Sequence, residues 1–450
     1  MSDKTQNKAK LIEGPVGPLL FRLTVPMIWG ILAIMAFNVI DTIFIAKLGT
    51  THLAAISFTF PVVMVVTNLA IGLGIGASSV VSRAIGEDNH QEIQNLTISA
   101  LILSFVLAVV FIVIGYLTTE PLFSLLGAGD DTLPLISAYM NVWYLGIGFL
   151  IIPIVGNYIV RATGDMFWPA MVMAGSSILN LILDPILIFG WFGFPRMEMA
   201  GAALATVISW VMSFGAVFII LYFREKFICL RCPKMSTIGD AIKSIVSVAL
   251  PAASTHMIIP IGAGVIMSMI ASFGEEAVAA FGAASRIEML ALIVFLAMSA
   301  IMGPFVGQNV GANKCERIKE ALRICYSFCF WLGLIQAVLL AVFAKPLVTL
   351  FDTNPVVLGY GVKFLQIMPI AYIAHGIIYI ASGVFNGSGH PIPAVVVSVV
   401  RMFVLYIPLA YVLKKVFGVS GIFAAYTITT FIMGIVAYLW SFKLINIKQA

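Results

Sequence analysis

Three acidic residues stand inside long apolar stretches of the chain, where a charged side chain is costly. They are Asp41, Asp184 and Glu288, whereas nearly all other acidic residues lie in polar segments. A charge at the centre of a bilayer costs about 2.5–3.5 kcal/mol on insertion scales, so such residues usually face a cavity or a partner. Binding of a proton or a metal cation is the chemistry that buried carboxyl groups support most directly.

Asp41 and Asp184 each have an amide residue on the same predicted helix face. Asn38 lies three positions before Asp41 and Asn180 lies four positions before Asp184, and both spacings bring side chains together on a helix. Two carboxyl groups in one apolar site cannot both be ionised cheaply, so the pair can hold a proton as a unit. Carboxylate and amide oxygens also suit hard cations such as Na⁺. The pattern predicts one H⁺ or Na⁺ site at Asp41, Asn180 and Asp184; the alternative is two buried acids that only stabilise packing.

Pro26 belongs to the same apolar stretch as Asp41 and lies about 22 Å before it along a helix. A proline inside a helix removes one backbone hydrogen bond and introduces a bend. We therefore predict a hinge at Pro26 that responds to the protonation state of Asp41, with a static kink as the alternative. Pro185, directly after Asp184, predicts a second bend.

The composition indicates an integral membrane protein. Of the 450 residues, 61% are hydrophobic and only 10% are charged, whereas a soluble domain carries about a quarter charged residues. Apolar stretches of about 20 residues or more recur along the chain, and each can cross a bilayer core of about 30 Å. These stretches are continuously apolar rather than alternating, which disfavours a β-barrel. A soluble enzyme, a secreted disulfide scaffold and a disordered chain are excluded, and the net charge of +5 does not indicate nucleic-acid binding.

Polar breaks divide the apolar stretches into twelve predicted membrane spans. The spans are 17–46, 53–82, 93–118, 133–155, 164–190, 198–223, 241–272, 278–306, 318–344, 355–381, 390–413 and 419–442. We therefore expect an all-α membrane protein with an N-terminal six-helix bundle in 1–223, a cytoplasmic linker in 224–240 and a C-terminal six-helix bundle in 241–450.

The two halves of the chain share landmarks at an offset of 225 residues. The coinciding pairs are Pro26 and Pro251, Gly49 and Gly274, Gly86 and Gly311, and Gly164 and Gly389. Because each half contains an even number of spans, the repeat is parallel and its axis lies along the membrane normal. Transporters built in this way bind substrate between the halves and alternate access by rocking one half against the other. A passive channel is the alternative, while a membrane enzyme needs only one site.

Basic residues are concentrated in the segments that lie on the same side of the membrane as the termini. The opposite side holds only Lys47, Arg196, Lys345, Lys414 and Lys415. Because cytoplasmic loops are enriched in Lys and Arg, we expect both termini in the cytoplasm and a location in the inner (plasma) membrane of a prokaryote. The first 15 residues are polar, so no cleavable signal peptide is expected. We also expect a monomer.

The sequence contains no P-loop and no H-E-x-x-H pattern, so neither nucleotide hydrolysis nor a catalytic metal is expected. No cofactor is predicted, and the energy for transport must come from an ion gradient, which supplies roughly 2.3 kcal/mol per charge per 100 mV. Cys229-x-x-Cys232 could provide at most half of a zinc site, and reduced structural thiols are the preferred interpretation.

The patterns Pro26…Asp41-Thr42, Asn180-x-x-x-Asp184-Pro185 and Gly201-Ala-Ala, together with the duplicated halves, resemble the multidrug and toxic compound extrusion (MATE) family. The resemblance covers about residues 15–445. Within the family, the sequence is similar to the DinF-type branch. The NorM branch places cation-binding acids in the seventh and tenth spans, but 251–256 and 366–372 contain none here.

The resemblance implies export of cationic or amphipathic drugs from the cytoplasm in exchange for H⁺ or Na⁺. It also implies that Tyr139, Asn157 and Thr206 belong to the network around the two carboxyl groups. Residues assigned to the substrate cavity are Asn38, Asn157 and Met257.

A lipid-linked oligosaccharide flippase of the same superfamily is the alternative function. Such a protein should line its cavity with Arg and Lys that bind a diphosphate, and few basic residues lie within the spans. Several further polar residues within the spans are expected to bond neighbouring helices rather than to bind substrate. They are His256, Arg286, Glu288, Gln308, Asn309 and Arg401.

Overall fold

The structure of the protein, a computed structural model, describes residues 10–228 and 234–449. The regular elements of these ranges are all helical, and twelve helices are long and apolar enough to cross a membrane. They are α1 (Val16–Ala46), α2 (Thr50–Gly86), α3 (His90–Leu125), α4 (Leu133–Ala162), α5 (Phe167–Phe189), α6 (Glu198–Arg224), α7 (Met235–Ala271), α8 (Glu275–Gly311), α9 (Cys315–Val342), α10 (Pro355–Gly387), α11 (Ile392–Phe417) and α12 (Val419–Ile447). The predicted number of spans and the all-α membrane fold are confirmed.

Several helices extend beyond the predicted spans, because polar residues continue the helix after the apolar segment ends. α2 reaches Gly86 and α7 already begins at Met235, within the predicted linker 224–240. Asn89 caps the start of α3, where its side-chain oxygen accepts a hydrogen bond from the backbone N–H of Glu92 at 3.1 Å. This interaction satisfies a donor that the first helical turn cannot pair internally.

Two helices contain wide turns of the π type, in which the backbone hydrogen bonds span five residues. One is Ile220–Arg224 at the end of α6, and the other is Val400–Tyr406 inside α11. A 3₁₀ turn at Met368–Ala371 interrupts α10 beside Pro369. Such turns often mark functional sites, and the one in α11 contains Arg401.

Contacts divide the chain into two compact units. Within the described ranges, residues 25–253 form the first unit, and residues 11–24 and 254–449 form the second. These units differ from the predicted sequence halves because the beginning of α1 belongs to the second unit and the beginning of α7 belongs to the first.

Packing inside the first unit explains why the beginning of α7 belongs to it. A Cβ atom on Gly72 would lie 2.5 Å from the Cβ of Ala253, and one on Gly76 would lie 2.6 Å from the carbonyl oxygen of Ile245. Only glycine permits this separation, so the Gly72-x-x-x-Gly76 pattern lets α2 and the beginning of α7 pack closely.

Aromatic side chains build much of the core of the second unit. The ring of Phe364 on α10 lies 5.6 Å from that of Phe281 on α8 and 5.1 Å from that of Phe423 on α12. Large apolar side chains such as Leu117 and Phe223 of the first unit are instead exposed. Exposed apolar surface of this extent is expected for helices surrounded by lipid.

Gln308 and Asn309 have a different role from the helix-packing role that the sequence suggested. The side-chain oxygen of Gln308 accepts a hydrogen bond from the backbone N–H of Leu11 at 3.0 Å, and Nδ2 of Asn309 donates to the carbonyl oxygen of Leu11 at 3.1 Å. They therefore hold the segment that precedes α1 against the end of α8. Asn309 Nδ2 also donates to the carbonyl oxygen of Phe305 within its own helix.

The three cysteines of α9, Cys315, Cys325 and Cys329, are buried free thiols. Cys229 and Cys232 lie outside the described residues.

Candidate ion-coupling site

The two carboxyl groups singled out in the sequence meet inside the first unit. The side chains of Asp41 on α1 and Asp184 on α5 lie within hydrogen-bonding reach of each other. Asp184 is fully buried, and Oδ1 of Asp41 is buried with no hydrogen-bond partner among the described residues. An ionised carboxylate can only accept, so two carboxyl groups bond to each other only when one is protonated. This proximity therefore favours a shared proton, or a cation in its place.

Asn180 connects Asp184 to Thr206 on α6. Its side-chain nitrogen donates to Oδ2 of Asp184 at 2.8 Å, and its side-chain oxygen accepts from the backbone N–H of Thr206 at 3.0 Å. The reverse orientation of the amide would turn its nitrogen to that N–H and its oxygen to the carboxylate oxygens, so it is disfavoured. Because the amide donates to the carboxyl group, it stabilises the ionised state of Asp184.

α4 supplies the other two residues that the family resemblance assigned to this network. Tyr139 is buried within electrostatic range of both Asp41 and Asp184. Asn157 is also buried, and its Oδ1 has no hydrogen-bond partner in the described part of the chain. The structure thus brings Tyr139, Asn180 and Thr206 together with the carboxyl pair.

The local packing of α5 against α6 fixes the position of Asp184. A Cβ atom on Gly201 would lie 2.4 Å from the carbonyl oxygen of Leu187, so only glycine allows α6 to approach α5 here. Pro185 follows Asp184 inside α5 and cannot donate a hydrogen bond to the carbonyl of Leu181. The close approach places Thr206, which lies further along α6, beside Asn180.

The predicted hinge and cavity residues occupy different surroundings. Pro26 lies inside the continuous helix α1, two residues after Thr24, whose hydroxyl donates to the carbonyl of Leu20 at 2.8 Å. Asn38 is exposed on α1. Met257 is half-buried on α7 and belongs to the second unit. Their assignments to a hinge and to a substrate cavity stay predictions.

A second polar cluster lies inside the second unit. It contains Glu288 on α8, His375 on α10, Arg401 on α11 and Tyr426 on α12. The sequence analysis assigned Glu288 and Arg401 packing roles and did not single out His375 or Tyr426. Nδ1 of His375 lies 2.5 Å from the hydroxyl oxygen of Tyr426. The signal available in the sequence was Tyr372-x-x-His375-x-x-x-Tyr379, which places three polar aromatic residues on one helix face.

Arg161 in the first unit is a buried cation that the sequence analysis did not single out. The side chain is 94% buried at the end of α4, where Nη2 lies 3.2 Å from the sulfur of Met173 and the guanidinium lies 4.6 Å from the ring centre of Tyr158. No described carboxylate lies within 4.0 Å of it. The protein therefore buries a cation in each unit, Arg161 in the first and Arg401 in the second.

Within the described ranges, no group of three or more His, Cys, Asp or Glu side chains is placed to hold a metal ion. An Na⁺ ion bound at Asp41, Asn180 and Asp184 would therefore be coordinated by two carboxylates and by an amide oxygen.

Comparison with known proteins supports a transporter. The MatE family model matches residues 26–186 and, a second time, residues 251–412. The two matches begin 225 residues apart, which is the offset at which the landmarks of the two halves coincide. The internal duplication is thereby confirmed.

Similar proteins differ in what they transport. A Shewanella oneidensis protein described as an FAD transporter is 39% identical over 428 residues, which are 95% of each chain. The probable multidrug resistance protein YoeA of Bacillus subtilis is 25% identical over 411 residues, 89% of this chain and 88% of its own. The crystal structure of the Vibrio cholerae MATE transporter VcmN in the bent form has a TM-score of 0.91 and 29% identity, with 98% of each chain covered.

The duplicated fold of twelve membrane helices and these similarities define a multi-pass membrane transporter, not an enzyme. The chain belongs to the MatE family. Its assignment to the DinF-type branch stays a prediction.

Proposed function

We propose that the protein is a cation-coupled antiporter that exports an amphipathic compound from the cytoplasm while H⁺ or Na⁺ moves inward. The observation that carries this proposal is the proximity of the carboxyl groups of Asp41 and Asp184, which favours a bound proton or cation between them. Asn180 donates to Asp184 at 2.8 Å and so stabilises the ionised carboxylate that remains when the ion leaves.

Alternating access of the rocker-switch type is the mechanism that we propose for the two units. α1 carries Asp41 and is divided between the two units. Residues 11–24 belong to the second unit, and the residues of α1 from 25 onward belong to the first unit. Pro26 lies directly after this boundary. A change of ion occupancy at Asp41 would then alter the bend of α1 at Pro26. The related transporter VcmN has been crystallised in a bent form.

We propose a flavin nucleotide as the principal cargo. The similarity to an FAD transporter extends over 95% of both chains at 39% identity, whereas YoeA is only 25% identical. Export of cationic or amphipathic drugs, which the family resemblance implied, is the second candidate, and its support is the similarity to YoeA.

Transport into inside-out membrane vesicles tests both the coupling and the cargo. The vesicles would contain the full-length protein, and the uptake of FAD and of ethidium would be measured under an imposed pH gradient and, separately, an imposed Na⁺ gradient. We expect one of the two gradients to drive FAD above its external concentration. FAD that only equilibrates, with no response to either ion, would indicate a passive channel and contradict the antiporter. Concentrative uptake of ethidium alone would select the drug exporter.

We also propose that the protein lies in the bacterial inner membrane as a monomer with both termini in the cytoplasm. The distribution of Lys and Arg supports this orientation.

A further inference from the structure

Four helices of the second unit bring charged and aromatic residues into one cluster. Glu288 on α8 interacts electrostatically with Arg401 on α11, and the Tyr426 hydroxyl on α12 is within hydrogen-bonding reach of its carboxylate. His375 on α10 bonds to Tyr426 and also faces Arg401. No residue of the ion-coupling site belongs to this unit, so the cluster requires an explanation of its own.

The polar atoms of this cluster are incompletely paired. Arg401 is 93% buried, and its Nε and Nη1 have no hydrogen-bond partner among the described residues. Oε1 of Glu288 is also buried without a partner in the same ranges. In the described chain, Arg401 and Glu288 form no ion pair within 4.0 Å. Leaving a buried charged group unpaired costs several kcal/mol, so a ligand that pairs with both side chains would be stabilised here.

Aromatic rings pack together within the same cluster. The rings of His375 and Tyr379 lie 4.6 Å apart with an interplanar angle of 38°, and those of Tyr406 and Tyr426 lie 5.5 Å apart. Arg401 lies within electrostatic range of Tyr379, Tyr406 and Tyr426. Tyr379 and Tyr426 are only partly buried, so the cluster reaches the surface of its unit. A flat heteroaromatic ring suits such surroundings.

We propose that this cluster binds the imide edge of the isoalloxazine ring of a flavin. This inference rests on the proposed flavin cargo and assigns the site that recognises it. The edge presents one N–H, at N3, between two carbonyl groups. Arg401 would donate to a carbonyl oxygen, and Glu288 would accept from N3–H. One ligand edge thereby supplies the acceptor that Arg401 lacks and the donor that Glu288 lacks.

The π-type turn in α11 supports a binding role over a purely structural one. Arg401 lies in the wide turn Val400–Tyr406, which also contains Tyr406 of the aromatic surroundings. Such a turn re-aims the side chains that follow it and weakens the regular hydrogen bonding of the helix, and it occurs frequently at functional sites. A helix that only packed against its neighbours would gain stability from a regular backbone.

A pair of ligands tests this inference without altering the protein. Riboflavin and 3-methylriboflavin differ only in that the second carries a methyl group in place of the N3 hydrogen. Binding of each to the purified full-length transporter would be followed by the quenching of flavin fluorescence. We expect 3-methylriboflavin to bind at least about tenfold more weakly, because a buried acceptor that loses its donor is left unpaired. Equal affinities would overturn the inference.

Variants separate the lost hydrogen bond from the added bulk of the methyl group. Glu288→Ala removes the acceptor and leaves space, so riboflavin should bind about tenfold more weakly. The dissociation constants of riboflavin and 3-methylriboflavin for this variant should then lie within about twofold of each other. Arg401→Gln should weaken both ligands by about tenfold. Glu275→Ala is the matched control, since Glu275 is exposed in the first turn of the same helix, α8. It should bind both flavins as the unaltered protein does.

The outcomes distinguish this inference from the proposed function. If neither flavin binds and neither is transported, the flavin cargo itself is wrong. If riboflavin binds and FAD is transported, but Glu288→Ala still discriminates against 3-methylriboflavin, only the assignment of the imide edge to this cluster is wrong.

Discussion

The carboxyl group of Asp41 on α1 lies within hydrogen-bonding reach of the carboxyl group of Asp184 on α5. The proximity joins two helices that are distant in the sequence. Two negative charges at these positions would repel in an apolar environment, and a proton or cation between them would remove that repulsion. We therefore propose that ion occupancy determines how strongly α1 is held against α5.

Asp41→Asn should abolish ion-driven transport. Asparagine has nearly the shape of aspartate but cannot release a proton or carry the charge that binds Na⁺, so the pair loses its two states. We expect uptake of cargo into vesicles to fall by at least about a hundredfold, as removal of an essential acid–base group does in enzymes. Asp184→Asn should have the same effect.

Equilibrium binding of riboflavin by the purified Asp41→Asn variant serves as the control for folding. It should stay within about threefold of the unaltered protein, because the substitution alters no residue of the proposed flavin cluster. Ion-driven uptake close to that of the unaltered protein would contradict the coupling role of Asp41.

Asn180→Leu should slow transport without abolishing it. The substitution preserves the approximate volume but removes the amide that bonds to Asp184 and Thr206. Loss of a hydrogen bond to a buried charged group costs about 1.5–3 kcal/mol, which corresponds to roughly a tenfold or greater change in the proton or Na⁺ equilibrium. Initial rates of uptake measured across a series of ion concentrations would detect this shift.

The control for this variant is Ser177→Ala, about one turn earlier on α5. The hydroxyl of Ser177 donates only within its own helix, to the carbonyl of Met173 at 3.0 Å. Its removal should leave the ion dependence unchanged. An equal effect of both substitutions would indicate a general weakening of α5 and not a role in ion binding.

Much of the first site could be predicted from the sequence because its signals are local. Asp41 and Asp184 stand out as charges in apolar stretches, and the spacing of Asn180 and Asp184 already places both on one helix face. The prolines and glycines that coincide between the halves revealed the duplication before any contact was known. The contact between the two carboxyl groups joins separate helices, and no local pattern specifies it.

The second cluster was harder to predict because its members lie on four helices and each has an ordinary structural explanation. Glu288 and Arg401 stand 113 positions apart, and only tertiary packing shows that neither is paired with the other. Arg161 was not singled out for a related reason. It stands at a helix end, where sequence reasoning expects solvent, but the ring of Tyr158 and the sulfur of Met173 cover it.

Gly201→Ala should destabilise the protein and impair transport together. Its Cβ would lie 2.4 Å from the carbonyl oxygen of Leu187, a backbone atom that cannot rotate away. α6 would have to move from α5, and overpacking of this kind costs about 1–3 kcal/mol. A lower melting temperature of the purified protein would report the strain, and ion-driven uptake would report the displaced site.

Gly215→Ala on the same helix is the matched control, since a Cβ there would meet no atom within 4 Å among the described residues. It should leave ion-driven uptake unchanged and should not lower the melting temperature, because alanine is the better helix former. If the two variants melted at the same temperature, the contact of Gly201 with α5 would not stabilise the protein.

Arg317→Ala should release the segment before α1 from the second unit. Nη1 of Arg317 donates to the carbonyl oxygen of Gly14 at 2.7 Å, and Nη2 donates to that of Glu13 at 3.1 Å. We expect the backbone amides of residues 11–14 to exchange hydrogen at least about tenfold faster in the variant, as the loss of charged hydrogen bonds predicts. Arg323→Ala, at an exposed position on the same helix, should leave this exchange unchanged; equal acceleration by both would contradict a specific clamp.

Pro26→Ala tests whether α1 must bend during transport. Alanine restores the N–H that proline lacks, so α1 can form a hydrogen bond to the carbonyl of Arg22 and becomes straighter and more stable, by up to roughly 3 kcal/mol. The stabilised straight helix should resist the change that follows ion release at Asp41. We expect uptake to slow by about tenfold or more while riboflavin binding and the melting temperature are kept or increased.

Pro121→Ala is the control, because Pro121 is also inside a helix of the first unit but is exposed near the end of α3. Full transport by Pro26→Ala would show that bending at this residue is not required, and an equal loss in Pro121→Ala would show that the effect is not specific to α1.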